Sequence, residues 1–79
     1  MKTTFSPGAL RKERERQALS QVDLALMLNV DPSMISYLES GRRVPSNALL
    51  TALADTLGIR VGRLFKRVPD AEPIPKLAA

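Results

Sequence analysis

Ser20–Pro45, SQVDLALMLNVDPSMISYLESGRRVP, holds two short apolar runs of helical spacing with a tight break between them. Leu24, Ala25 and Leu28 form one stripe, and Ile35 and Leu38 form another, at the intervals that put side chains on one face of a helix. Ser20 supplies a capping hydroxyl before the first run, and Asp23 three residues on completes a shortened capping box. Asn29 suits the left-handed residue that ends such a helix. Asp31-Pro32 then repeats the start signal, a capping side chain followed by proline at the first helical position, and Gly41 closes the second helix. Val30 falls in the three-residue turn, where an apolar side chain plugs the space between the helices. A basic loop, Arg42-Arg43, follows.

Outward from this pair, Ser6-Pro7 opens a preceding helix that runs to about Gln17. Pro45-Ser46 starts a fourth helix, whose stripe is Leu49, Leu50, Leu53, Ala54 and Leu57, and Gly58 stops it. A fifth short helix is expected over residues 61–66, frayed at its start because Arg60 is a poor cap. Leu10, Leu19, Ile59, Leu64 and Phe65 would close the core. No useful strand-like alternation is present, so the expected fold is all-α, a compact five-helix domain over residues 1–67. From Val68 onward, VPDAEPIPKLAA contains three of the chain's six prolines and two acids. Proline at that density opposes helix and sheet ladders. Residues 68–79 are therefore expected to form an extended tail, with Ile74 and Leu77 as candidate contacts for a second subunit or a protein partner.

Seventy-nine residues make one domain, near the lower limit for a single unstapled core. The chain has no cysteine and no histidine, which removes disulfides, zinc sites of the usual kind and the commonest general base. Paired carboxylates, a Gly-rich phosphate loop and a metal-ligand cluster are all missing, so neither an enzyme nor a cofactor or metal site is expected. No apolar run is long enough to span a bilayer and MKTTFSPGAL lacks the apolar centre of a signal peptide. A cytoplasmic protein with no membrane contact follows as the expectation. The net charge of +4 fits a polyanionic partner. It is concentrated at the flanks: residues 1–19 and residues 60–79 each carry five Lys/Arg against two acids, and residues 20–59 carry two against four.

The pattern Ser20-Gln21, Leu24-Ala25, Leu28, Val30, Ile35-Ser36, Glu39, Gly41 and Pro45 resembles the helix-turn-helix of the lambda repressor/Cro-like (Xre) family. The resemblance extends over roughly residues 8–66. It implies a double-stranded DNA partner, with the second helix of the pair entering the major groove. On the helical wheel, Ile35 and Leu38 fix the buried side of that helix, leaving Ser33, Ser36, Tyr37 and Ser40 on the solvent side. The implied base contacts are Ser33, Ser36 and Tyr37, with Met34 at the edge of the strip. Gln21 at the start of its helix, Ser40, Arg42, Arg43 and Arg16 are the implied backbone contacts. The strip carries none of the Arg, Lys, Asn or Gln side chains that read bases bidentately, so direct readout is expected to be modest, with DNA shape contributing.

Glu39 lies roughly 40° from Ile35 on the wheel, on the inner flank, and a buried carboxylate needs a partner. The resemblance supplies Arg14 as that partner, in a structural ion pair. It also marks Glu13 as a departure, since the family usually has an apolar residue there, and a looser docking of the first helix is expected. A homodimer on a palindromic operator is implied, with Ile59, Val61 and Phe65 as candidate interface residues. The function expected is a sequence-specific transcriptional regulator, a repressor first and autoregulatory in the simplest case. It would serve as a phage or plasmid repressor, a restriction-modification controller or an antitoxin. In an activator, Asp23 would face RNA polymerase. The alternative is an antitoxin or adaptor that mainly binds a protein such as a toxin, with DNA secondary. RNA is disfavoured because no aromatic stacking platform is evident.

Overall fold

Hydrogen bonds from capping side chains set where each helix begins. In the computed structural model, which describes residues 2–68, the Ser6 hydroxyl accepts from the Ala9 amide at 3.1 Å and opens α1, Pro7–Arg16. Ser20 and Asp23 form a reciprocal capping box at 2.9 Å each way at the start of α2, Gln21–Leu28. Asp31 caps α3, Pro32–Ser40, and Ser46 caps α4, Asn47–Leu57. Asn29 (φ 58°) and Gly41 (φ 82°) turn the chain out of α2 and α3 in the left-handed conformation, which costs an Asn little and a Gly nothing.

The expected fifth helix is not there, and the fold is not all-α. Residues Val61–Leu64 form a single 3-10 turn with no side-chain cap. The chain then extends as β2, Phe65–Val68, antiparallel to β1, Lys2–Phe5. The register pairs Lys2 with Val68, Thr3 with Arg67, Thr4 with Lys66 and Phe5 with Phe65, and the Ser6 amide to Leu64 carbonyl bond (2.8 Å) carries the ladder into the turn. The physical reason is twofold. Arg60 cannot cap a helix, and residues 65–68 find backbone partners in β1 that satisfy their donors and acceptors better than a frayed helical end would. The domain is therefore four helices, a 3-10 turn and a two-stranded clasp. Val68, expected to begin the tail, is the last residue of β2; the rest of the expected tail lies outside the described residues.

Leu10, Leu24, Ile35, Leu38, Leu53 and Leu64 are fully buried at the centre, and Phe5, Ala25, Leu50 and Leu57 join them. Each large side chain contributes roughly 1.5–3 kcal/mol by burial, a sizeable fraction of a total stability of about 5–15 kcal/mol. Gln17 links two helix ends by donating its side-chain amide to the Leu57 carbonyl at 2.7 Å. Among the described residues no helix is long and apolar enough to cross a membrane.

Glu13 does not loosen α1. It is buried, and both carboxylate oxygens are engaged: Oε1 accepts from Arg16 at 2.6 Å and Oε2 from Arg63 at 2.8 Å. The second bond ties α1 to the 3-10 turn. These arginine hydrogen bonds hold the Glu13 carboxyl below its ordinary pKa, and hydrogen bonds donated by Ser20 and Ser33 do the same for the Asp23 and Asp31 carboxyls. All three groups bind protons less readily folded than unfolded. Their contribution is full above the unfolded carboxylate value of about 4 and is lost as pH falls through the lowered folded values. Glu13→Gln is accordingly expected to be less stable than the parent at pH 7 and to lose less on going from about pH 5 to pH 3. Urea midpoints across that range check it, and parallel curves for the two proteins would overturn it.

Candidate nucleic-acid interface

The α2–α3 turn is built around Val30, which packs half-buried against the core while its amide donates to the Ala25 carbonyl at 3.0 Å. This holds α3 at a fixed angle to α2. Ile35 and Leu38 face inward, and Ser33, Ser36, Tyr37 and Ser40 lie exposed on the outer face. Met34 is half-buried against the core. At the front of the helix, the Ser33 amide donates to the Asp31 carboxylate at 2.9 Å, so a negative charge sits beside the first residues of the strip. At the far end, the Ser40 hydroxyl donates to the Tyr37 carbonyl at 3.2 Å.

Tyr37, Arg42 and Arg43 form one cluster. The amides of both arginines donate to the Tyr37 carbonyl, at 2.9 and 3.3 Å. Their guanidinium carbons lie 5.9 and 6.0 Å from the ring centroid, within range of a weak cation–π attraction. Tyr37 thus gathers two exposed positive charges at the end of the strip.

Behind the strip, Arg14 of α1 grips Glu39 with two bonds, Nε to Oε2 at 2.6 Å and a terminal nitrogen to Oε1 at 2.9 Å. Its other terminal nitrogen donates to the Leu19 carbonyl at 2.7 Å. The two side chains are only 9% and 5% exposed, and every buried side-chain polar atom among the described residues has a partner. The carboxylate beside Arg14 pushes its guanidinium pKa up.

Gln21 has a role that the helical pattern does not signal. Its side-chain amide donates to Glu39 Oε1 at 3.1 Å, so the side chain braces α3. Arg16 is likewise engaged, with two bonds to Glu13 Oε1. It lies roughly 160° round α1 from Arg14, on the side away from α3. The Glu13–Arg16 spacing is visible in the charge run RKERER as an i,i+3 pair. The Arg63 partner, fifty positions along the chain, has no local signal. Of the three residues expected at a subunit interface, Ile59 and Phe65 pack half-buried against the core and Val61 is 37% exposed.

A packed helix pair with a polar strip on the second helix and positive charge at its end defines a class of DNA-binding domain. A helix-turn-helix family model matches residues 10–64, and the chain belongs to the lambda repressor/Cro-like helix-turn-helix family, whose members are regulators rather than enzymes. The restriction-modification controller protein C.AhdI of Aeromonas hydrophila superposes with a TM-score of 0.70 at 33% identity, over 73% of this chain and 88% of that one. The clp gene regulator ClgR of C. glutamicum gives 0.69 at 33% identity, over 73% and 75%. Multiprotein-bridging factor 1 of Debaryomyces hansenii is 38% identical over 53 residues, 67% of this chain and 35% of the relative. The chain spans between a third and a half of the length of such curated relatives.

Proposed function

We propose that the chain is a sequence-specific transcriptional regulator that binds a palindromic operator as a homodimer and represses its own promoter. The observation that carries this reading is the exposed Ser33–Ser36–Tyr37 strip, with Arg42 and Arg43 gathered at its end. In this reading, Ser33 and Ser36 meet base edges and Tyr37 a thymine methyl or a phosphate. Arg42, Arg43, Ser40 and the backbone at Gln21 hold phosphates; Arg16, paired to Glu13 and on the side of α1 away from α3, is not part of this contact set. Serine reads bases weakly, so specificity leans on DNA shape. Two subunits would place their recognition helices about one helical turn (~34 Å) apart. Exposed Val61 is the first interface candidate, flanked by Ile59 and Phe65. The similarity to a restriction-modification controller and to a clp gene regulator supports the regulatory role.

Fluorescence-anisotropy titration against the gene's own upstream DNA and a scrambled duplex tests this. Nanomolar binding to the upstream fragment, far tighter than to the scramble, is the expected result. Equal binding to both would overturn sequence-specific regulation.

A second reading is an adaptor that contacts a protein partner while DNA-bound. It is favoured by the likeness to a multiprotein-bridging factor and by exposed Val22, Leu26 and Met27 on α2 (51%, 74% and 55%).

A further inference from the structure

On the side of α1 away from Glu39, a groove of about 530 Å³ runs between the first half of that helix and β2. Its size falls in the range of ligand sites, about 300–1,000 Å³. Gly8, Ala9 and Lys12 form one wall, and Arg63, Phe65 and Lys66 form the other. Gly8 and Lys12 lie on the opposite side of the helix from Arg14 and Leu10, and Ala9 lies about 100° round from Leu10, at 100° per residue.

The charge of the groove is positive and does not cancel. Glu13 at its base is shared between two arginines, which leaves one positive charge in excess. Arg63 keeps a side chain 59% exposed despite that bond. Lys12 and Lys66 are exposed and make no ion pair among the described residues. Between these cations, Ala9 and half-buried Phe65 supply an apolar strip.

The geometry points to a second binding site here, one that takes an acidic peptide segment carrying an apolar side chain, supplied by a protein partner. Lys12, Lys66 and Arg63 would meet its carboxylates, and Phe65 and Ala9 its apolar anchor. A peptide fits better than nucleic acid for two reasons. A duplex held on α3 faces the other side of α1 and does not reach the groove. A single strand needs exposed ring faces to stack on, whereas Phe65 packs against the core. The site goes beyond the DNA-binding reading and does not depend on it.

The test is an NMR titration of the ¹⁵N-labelled full chain with a synthetic Glu/Asp-rich peptide containing one central Leu. Shifts are expected at Gly8, Ala9, Lys12, Arg63, Phe65 and Lys66. Lys12→Glu/Lys66→Glu is expected to weaken binding by roughly tenfold or more. Arg42→Glu/Arg43→Glu changes the net charge by the same amount and is expected to leave peptide affinity within about twofold. Gly8→Leu supplies a variant that keeps every charge: the added Cβ meets nothing within 4 Å and Gly8 lines the groove, so the larger side chain is expected to narrow the groove and lower peptide binding, with an unchanged urea midpoint as the check that the fold is kept. Equal weakening by the two charge-reversal pairs would overturn the proposal, as would shifts confined to Ser33, Ser36 and Arg42. Duplex DNA shifting the groove residues in place of α3 would overturn it too. Because no DNA is present in the peptide titration, its failure is separate from any failure of operator binding.

Discussion

Glu39→Ala is expected to lower the unfolding free energy by about 3–5 kcal/mol, read from urea denaturation. What remains after the substitution explains the size. The Arg14 side chain is 9% exposed and would keep only the Leu19 carbonyl as an acceptor, leaving a guanidinium charge without a counter-ion. In a domain this small, a drop of ~3 kcal/mol corresponds to roughly 12–24 °C in melting temperature. Gln21 would be deprived of its acceptor as well, so the start of α2 and the flank of α3 loosen together. Removing both charges, as in Arg14→Leu/Glu39→Leu, is expected to be less damaging than Glu39→Ala alone, because the desolvation of the pair disappears with it. A Glu39→Ala protein within ~1 kcal/mol of the parent would mean that water compensates the pair and that α1 is braced by apolar packing alone.

The second large effect concerns salt. If a dimer neutralises about 6–10 phosphates, operator affinity should fall by a factor of ~10³–10⁵ between 50 and 200 mM salt. Arg42 and Arg43 are the cations nearest the recognition strip, so Arg42→Ala/Arg43→Ala is expected to flatten the log–log salt slope by about 0.9 for each phosphate no longer neutralised. Anisotropy titrations at several salt concentrations measure both. An unchanged slope in that variant would place the phosphate-binding charges elsewhere on the surface.

How much of this is readable in the chain follows the range of the interactions. Ser6, Ser20, Asp31 and Ser46 cap helices because capping is decided within three residues, and a local pattern carries it. The inward-facing Ile35 and Leu38 and the exposed strip opposite them follow from helical period alone. The β1–β2 clasp is invisible in the sequence because its partners sit some sixty positions apart and neither four-residue strand alternates. Glu13 reads as a flaw in an apolar stripe, since one of its two partners lies fifty residues away. The Gln21 side chain misleads for a related reason: helix starts advertise phosphate binding, while its bond to Glu39 depends on how α2 crosses α3.

The clasp has a mechanical consequence. Lys2 lies opposite Val68 and Phe5 opposite Phe65, so tension applied at Lys2 and Val68 loads one end of the ladder. Antiparallel hydrogen bonds loaded that way open in turn, as a zip does, instead of resisting together in shear. Load reaches the Ser6–Leu64 bond, and behind it the α1 cap, only after the strands have parted. A tug at Lys2 and Val68 is absorbed by eight residues of strand before it can tilt the helix that Arg14 anchors to α3.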